Sequence, residues 1–218
     1  KIKDINGHSN IHIKYQNNED FSIKFEEIRK FLLKSGKNIF RRIEQTALIK
    51  YYDSYKIVNV IGLDNSYIKK IKLGLQDNLS DLKDKILIGD DLYYFLEIDR
   101  NLNDELTILA PLDSEIITKQ RNFNIHSENF IFDNVTAIDK ISENVVFINY
   151  LDALELFSQA KSFVSIDEDL SQYEINFLIN EFEIEKFSTW HEKYPIFFAS
   201  IKLEKILYSV FGIILIFV

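Results

Sequence analysis

The last quarter of the chain contains the run Ser188-Thr189-Trp190-His191-Glu192, which leads into Ile201-Lys202-Leu203-Glu204-Lys205 and then into an apolar segment, residues 206–218. A segment this apolar belongs either in a protein core or in a bilayer. It is shorter than the roughly 20 residues that cross a bilayer as a helix. However, a polar, charged helix that continues directly into an apolar run is typical of the place where a soluble domain joins a membrane helix. We therefore expect residues 203–218 to be the start of a transmembrane helix.

The composition is that of a globular protein, with 46% hydrophobic and 28% charged residues among 218, which allows one large domain or two small lobes. The net charge of −8 argues against a nucleic-acid partner and against docking on anionic lipid, because both need a basic surface. The absence of cysteine excludes disulfides, iron–sulfur clusters and thiol catalysis, and it fits either the cytoplasm or a periplasm. Because the chain begins at Lys1 and contains no methionine, we expect an internal fragment of a longer protein.

Hydrophobic periodicity divides the rest of the chain into short strands and helices. Alternating or continuous apolar residues predict strands at 11–15, 39–51, 55–61, 85–89, 106–109, 122–130, 145–148, 163–166 and 185–187. Helical spacing predicts helices at 22–33, 92–96, 151–157 and 170–178. Residues 57–61 are nearly all apolar, which predicts a strand buried on both faces. This order indicates an α+β fold with strand–helix–strand pieces at both ends and a β-rich middle.

The sequence contains no recognisable catalytic or metal-binding pattern. None of its four histidines lies at metal-ligand spacing from another, and we interpret them as surface or cap residues; they are His8, His12, His126 and His191. A Gly-rich phosphate loop and the GxSxG motif of hydrolases are both absent. The carboxylate runs Asp90-Asp91 and Asp167-Glu168-Asp169 are typical of solvated polar faces rather than of an acid–base pair. We therefore expect neither an enzyme nor a metal or cofactor site.

Several stretches resemble, in order along the chain, one family of transport proteins. Thr189-Trp190-His191-Glu192, Leu203-Glu204-Lys205 and the apolar segment that follows resemble the region before the second membrane helix of lipoprotein-releasing ABC transporter permeases, the LolC/LolE type of the FtsX/MacB group. The other matching stretches are Asn6-Gly7-His8, residues 45–48, Val60-Ile61-Gly62-Leu63-Asp64, residues 86–96, residues 103–111 and Phe147-Ile148-Asn149-Tyr150-Leu151-Asp152-Ala153. The resemblance therefore covers essentially the whole chain.

This resemblance implies a periplasmic domain between the first two membrane helices of an inner-membrane permease. Residues 1–82 and 163–200 would form a discontinuous βαβ-type lobe, and residues 83–162 would form a β-rich lobe inserted into it. Lys1 and Ile201 should lie near each other, because both ends enter the same membrane. The implied partners are a cytoplasmic ATPase subunit (LolD-like), a second permease copy, lipoprotein substrates and a periplasmic lipoprotein chaperone (LolA-like). The domain itself would be non-catalytic.

The resemblance also implies a binding site for the chaperone. In the LolC branch a hairpin forms a hook that captures the chaperone, and a Gln-Arg pair that closes the hairpin contributes to the contact. Residues 112–121 match this hairpin, with Ile116 and Ile117 near its tip and Gln120-Arg121 at its base. The hairpin is shorter than in that branch and lacks its proline and glycine, and Thr107 stands where a second arginine is expected. The alternatives are an ordinary hairpin or a LolE-like loop that faces lipoprotein.

Two other kinds of function remain open. Within the same group, the domain could belong to a MacB-like efflux permease or an FtsX-like signalling permease. In a different class, the chain could be a stand-alone soluble binding or immunity-type protein. The last segment would be a core strand in that class, whereas a permease needs it to be a projecting helix.

Overall fold

The structure of the chain is a computed structural model, and it describes residues 9–67, 83–98, 104–110, 126–136, 144–157, 159–189, 199–200 and 202–208. The strands in this part are β1 (Ser9–Ile13), β2 (Ile39–Tyr51), β3 (Ser54–Leu63), β4 (Lys85–Gly89), β5 (Glu105–Ala110), β6 (His126–Thr136), β7 (Val145–Asn149), β8 (Phe163–Ile166) and β9 (Ile184–Thr189). The helices are α1 (Asn18–Leu33), α2 (Asp90–Leu96), α3 (Tyr150–Leu156) and α4 (Gln172–Glu181). Residues 199–200 and 202–208 are helical as well.

The long strand β2 connects the two halves of the fold. The strand order is β3-β7-β4-β6-β5-β2-β8-β1-β9, and β3 also pairs with β2, so the strands from β3 to β2 close into a barrel. One edge of β2 pairs with β3 from Arg42 to Tyr51. Its other edge pairs with β8 over residues 39–42 and with β5 over residues 48–50. As a result β2 is at once a wall of the barrel and the first strand of the open sheet β2-β8-β1-β9.

Apolar residues on alternate positions of the strands fill one large core, and a smaller second cluster includes Phe40, Tyr67 and Phe147. In the barrel the core includes Ile49, Ile108 and Phe130, which are all fully buried. In the open sheet, strand residues such as Ile11 share this core with one face of α1. The buried residues of that helix face are Phe21, Phe25, Ile28 and Leu32. Since these four residues are spaced three or four apart, the sequence alone places them on one side of a helix.

The structure confirms the predicted α+β class, and most elements lie within a few residues of their predicted positions. Helix α1 begins at Asn18 instead of residue 22, because the Asn17 side chain accepts a hydrogen bond from the Asp20 N–H and caps the helix there. Strand β6 continues to Thr136, past the predicted end at residue 130, because its second half pairs in parallel with β4. Helix α4 begins at Gln172 instead of residue 170, since Ser171 is its cap.

The prediction that residues 57–61 are buried on both faces is wrong at Ile57. This side chain is 64% exposed on the outer wall of the barrel, next to its register partner Leu48 on β2. Burial on both faces begins further along β3, where residues 60–63 are all buried. An apolar run does not tell whether a strand is buried on one face or on both, because the residues that cover its outer face are distant in sequence.

Several predicted features lie outside the described residues. They are Lys1, Ile201, residues 209–218 and the hairpin at 112–121. Among the residues that the structure describes, no helix is long and apolar enough to cross a membrane. The division into lobes at residues 82/83 and 162/163 stays a prediction, and strand pairing crosses it, because β2 pairs with β5 and β3 pairs with β7.

Candidate functional site

The two ends of the described body meet in the open sheet. Strand β1 lies between β8 and β9 and is antiparallel to both. Ser9, the first described residue, is the register partner of Thr189, the last residue of β9. The chain therefore enters this body and leaves it at the same end of one pair of strands.

The helical segment 202–208 follows this exit and exposes its apolar side chains. Leu203, Ile206, Leu207 and Tyr208 are all large, hydrophobic and exposed. Lys202 and Lys205 lie in the same segment and are exposed too. These residues are thus in a helix whose apolar side chains are not covered by the core, and they do not form a core strand.

A row of cationic and aromatic side chains crosses the face of the open sheet opposite the core. His12 on β1 pairs in register with Lys186 on β9, and Phe163 on β8 pairs with Arg42 on β2. The His12 and Phe163 rings stack with centroids 4.6 Å apart and an angle of 25° between their planes. Arg42 is fully buried. Its guanidinium carbon is 5.9 Å from the Phe163 ring centroid, and its Nη2 donates a hydrogen bond to Glu44 Oε1.

A pocket of about 550 Å³ lies over the Lys186, His12 and Phe163 part of this row. Its polar lining comes from β1, β2 and β9 and from the segment before β8; it includes Asn10, His12, Glu44, Lys161, Lys186 and Ser188. Asn10 is fixed by a hydrogen bond of 2.6 Å from Ser165 Oγ to its Oδ1. The Lys161 ammonium is 3.1 Å from Glu185, and both side chains are exposed. The pocket is therefore open to solvent and lined by charged groups of both signs.

The pocket keeps His12 uncharged at neutral pH. Burial lowers the pKa of His12 below its ordinary value, and the charges of Lys186 and Lys161 lower it further, while Glu44 and Glu185 oppose this effect. A histidine with an ordinary pKa near 6.5 is already mostly neutral at pH 7. Lowering the pKa leaves the imidazole able both to donate and to accept a hydrogen bond.

Two stretches that resemble the permease family contact each other directly. A Cβ added at Gly62 would lie 2.2 Å from the Ala153 Cβ. Gly62 is in β3 and Ala153 is in α3, so the glycine allows this helix to approach the barrel wall. Ala153 is fully buried at this contact. The glycine and the alanine of these stretches therefore serve helix-to-sheet packing.

The acidic residues of the same stretches also support the fold. Asp64 accepts hydrogen bonds from the Arg41 backbone N–H at 2.7 Å and from its Nε and Nη2 at 2.9 and 2.6 Å. Asp152 accepts from the Asp84 backbone N–H at 2.9 Å. These contacts satisfy backbone and guanidinium donors.

The predicted chaperone-binding residues Ile116, Ile117, Gln120 and Arg121 lie outside the described residues. Thr107, which stands in place of a second arginine, donates a hydrogen bond of 2.8 Å to Asn129 on β6. In the part of the chain that the structure describes, no group of three or more His, Cys, Asp or Glu side chains could hold a metal ion.

Sequence reasoning missed the pocket because it treated His12 as a surface or cap residue. The alternation of β1 does put Asn10 and His12 on one face of the strand, opposite Ile11 and Ile13. The sequence could not show that β8 lies next to β1. Phe163, which stacks on His12, comes from the far end of the chain.

No protein-family model and no curated protein matches this sequence. Among solved structures, the chain is similar to the periplasmic region of MacB from Actinobacillus actinomycetemcomitans, with 10% identity, coverage of 87% of this chain and 92% of that one, and a TM-score of 0.47. It is also similar to the extracellular domain of the ABC-type transporter YknZ from Gram-positive bacteria, with 12% identity, coverage of 81% and 100%, and a TM-score of 0.49. Similarity of this degree does not carry an activity with it.

Proposed function

We propose that this chain is the periplasmic domain of the permease subunit of an ABC transporter, and that the transporter releases lipoproteins from the inner membrane to a periplasmic chaperone. The ordered resemblance along the chain suggests this family. The structural observation that carries the proposal is the pairing of Ser9 with Thr189. A domain between two membrane helices has to receive and return the chain on one side, and adjacent antiparallel strands do this.

The helical segment 202–208 supports the same proposal. A stand-alone soluble protein would cover the large apolar side chains of this segment, but Leu203, Ile206 and Leu207 are exposed. A helix that exposes apolar side chains after the exit strand suits a chain that continues towards a bilayer. This observation favours a permease domain over the binding or immunity-type protein.

The proposed role of the domain is mechanical. ATP would be hydrolysed by a separate cytoplasmic subunit, and its work would reach this domain as a displacement of the two membrane junctions. Such a displacement acts first on β1 and β9, then on β8, and then on β2 through the pairs at residues 39–42. Because β2 is also a wall of the barrel, the β-rich part would move with the junction.

The strands that flank residues 112–121 support the chaperone-capturing hairpin. Ala110 at the end of β5 and His126 at the start of β6 are register partners. The described chain therefore breaks off and resumes at neighbouring positions of an antiparallel pair, as the base of a hairpin requires. A lipoprotein chaperone shields acyl chains in an apolar cavity, and Ile116 and Ile117 near the tip would suit insertion into such a cavity. Gln120 and Arg121 would fix its orientation through hydrogen bonds.

The proposal is tested in the cell that produces the protein. An antibody against this domain should detect it in the inner-membrane fraction, and detergent extraction should co-purify an ABC-type ATPase. Depletion should retain outer-membrane lipoproteins in the inner membrane. Recovery in the soluble fraction would refute the permease function altogether. Normal lipoprotein distribution after depletion, with the ATPase still bound, would refute lipoprotein release and favour a MacB-like or FtsX-like role.

A further inference from the structure

We propose that the pocket lined by Lys186, His12 and Phe163 binds a small organic anion with a flat apolar body, such as an aromatic carboxylate. This site uses none of residues 112–121 and does not depend on the proposed transport function. Three properties of the pocket carry the proposal, namely its size, its charge and its aromatic lining.

The size of the pocket suits a small molecule. Its volume of about 550 Å³ lies within the roughly 300–1,000 Å³ of typical ligand sites. Its walls come from strands that are fixed by continuous pairing, β1 with β8 and β9, and β8 with β2. A site built on paired strands is largely formed before the ligand arrives.

The charge of the pocket selects an anion. Glu44 is ion-paired with Arg42, so its charge is compensated within the protein. The Lys186 ammonium has no ion-pair partner within the described part of the chain. Lys161 is paired with Glu185, but both are exposed, and such surface pairs contribute little. Two ammonium groups can therefore turn towards a ligand, in a chain whose overall charge is −8.

The aromatic lining of the pocket suits a flat apolar group. The half-buried His12 imidazole lines the pocket and is stacked on the buried Phe163 ring, which holds it in place. An aromatic ligand that packs against this imidazole gains affinity beyond that from the burial of area. Ser188, whose register partner is Asn10, adds a hydroxyl donor at the rim.

The test uses three probes of nearly equal shape: benzoate, neutral benzamide and cationic benzylammonium. Each is titrated into the 218-residue chain, with the backbone amide signals of His12 and Lys186 followed by NMR. We expect benzoate to bind about tenfold more tightly than benzamide, the factor that a charge-assisted hydrogen bond contributes, and benzylammonium not to bind. Equal affinity for benzoate and benzamide, tighter binding of benzylammonium, or no binding of any probe would overturn the proposal.

Matched variants locate the bound anion. Lys186→Gln should weaken benzoate binding by about tenfold. Lys56→Gln is the matched control and should leave benzoate binding unchanged. Lys56 lies on another surface, where its ammonium is 4.2 Å from the ring centroid of Phe95. Both lysines reach solvent, so thermal unfolding should be the same for both variants. Equal weakening by the two substitutions would indicate general screening and would overturn the site.

A pH series gives an independent readout. The charged groups that face His12 are Lys186 and Glu185 from β9, Glu44 from β2 and Lys161 before β8. Protonation of His12 adds a positive charge to the pocket, so benzoate should bind more tightly as the pH is lowered from about 7.5 to about 5. His12→Gln should remove this dependence while keeping the preference for benzoate over benzamide. Loss of that preference, or an unchanged pH dependence in the variant, would contradict the assignment.

Discussion

Ser9 and Thr189 are register partners in the antiparallel pairing of β1 and β9, although they lie near opposite ends of the chain. Between these two residues the chain forms the whole barrel and the rest of the open sheet. Within the described residues, a displacement applied at Ser9 or Thr189 acts on β1 or β9 before it reaches any other strand. This relationship makes the pair the natural place to test the proposal that the domain works between two membrane attachments.

A disulfide between these two positions should form readily. The sequence has no cysteine, so Ser9→Cys with Thr189→Cys can form a single bridge. Directly opposed residues in an antiparallel pair have Cα atoms about 4.5–5.5 Å apart, which suits a disulfide. We expect the two cysteines to form an intramolecular disulfide, so that the oxidised protein stays monomeric. The free energy of unfolding should rise by about 2–4 kcal/mol, measured by urea titration with and without reductant.

The control for this bridge is Ser9→Cys with Lys186→Cys. Lys186 pairs with His12, three residues further along β1, so these two cysteines are out of register. They should stay reduced or form only intermolecular bridges. Equal bridging in both variants would mean that the register of β1 and β9 is wrong.

The sequence predicted the helices and strands far better than it predicted which of them lie next to each other in the fold. Helix α1 was predictable because the spacing of Phe25, Ile28 and Leu32 is a local property of the chain. Closure of the barrel was not predictable, since it depends on β2 pairing with both β3 and β5. Arg42 gives the clearest case: a charged strand residue is expected in solvent, and here Phe163 and Glu44 allow it to be fully buried.

Two of the stretches that resemble the permease family pack against each other, and this packing can be tested at Gly62. Gly62→Ala would place a methyl group 2.2 Å from the Ala153 Cβ. We expect a loss of about 2–3 kcal/mol, as for other overpacked cores, measured by urea unfolding. The double variant Gly62→Ala with Ala153→Gly removes the clash and should be more stable than Gly62→Ala alone. Additive losses in this double-mutant cycle would show that the two residues do not touch.

The proposed hairpin can be tested by charge substitutions at its tip and base. Ile117→Asp and Arg121→Glu should each weaken binding of the cognate chaperone by roughly tenfold or more, because a few anchor residues carry most of an interface's energy. The measurement is calorimetric titration of the chain with the chaperone, with circular dichroism to check the fold. Ile23→Asp and Arg29→Glu on α1 are the matched controls, since both side chains are exposed. Unchanged affinity in both hairpin variants would remove the hook assignment.

Asp152 should make the domain less stable as the pH rises through the mildly acidic range. Burial raises the pKa of Asp152, and the charges of Asp84 and Glu155 raise it further, although the hydrogen bond from the Asp84 N–H lowers it. A carboxyl whose pKa is raised by folding stabilises the fold below the unfolded pKa, near 3.9, and this contribution is lost as the pH rises through the folded pKa. Asp152→Asn keeps an acceptor for the Asp84 N–H and does not titrate. Its urea midpoint should therefore exceed that of the parent at pH 7, and the two should converge below about pH 4.

Glu174 should affect the pH dependence of stability in the opposite direction. Burial alone raises the pKa of Glu174, but hydrogen bonds from the Ser171 hydroxyl and N–H, both 2.7 Å long, and the Lys37 ammonium at 3.6 Å outweigh it, so the pKa is lowered. Its contribution to stability is present above the unfolded pKa, near 4.3, and is lost as the pH falls through the folded pKa.

Glu174→Gln weakens the capping box of α4 and should lower the free energy of unfolding by about 1 kcal/mol at pH 7. The difference from the parent should shrink as the pH falls below about 4. Urea unfolding across this range measures both variants. If Glu174→Gln and Asp152→Asn changed with pH in the same direction, the assignment of these two carboxylates to opposite environments would be wrong.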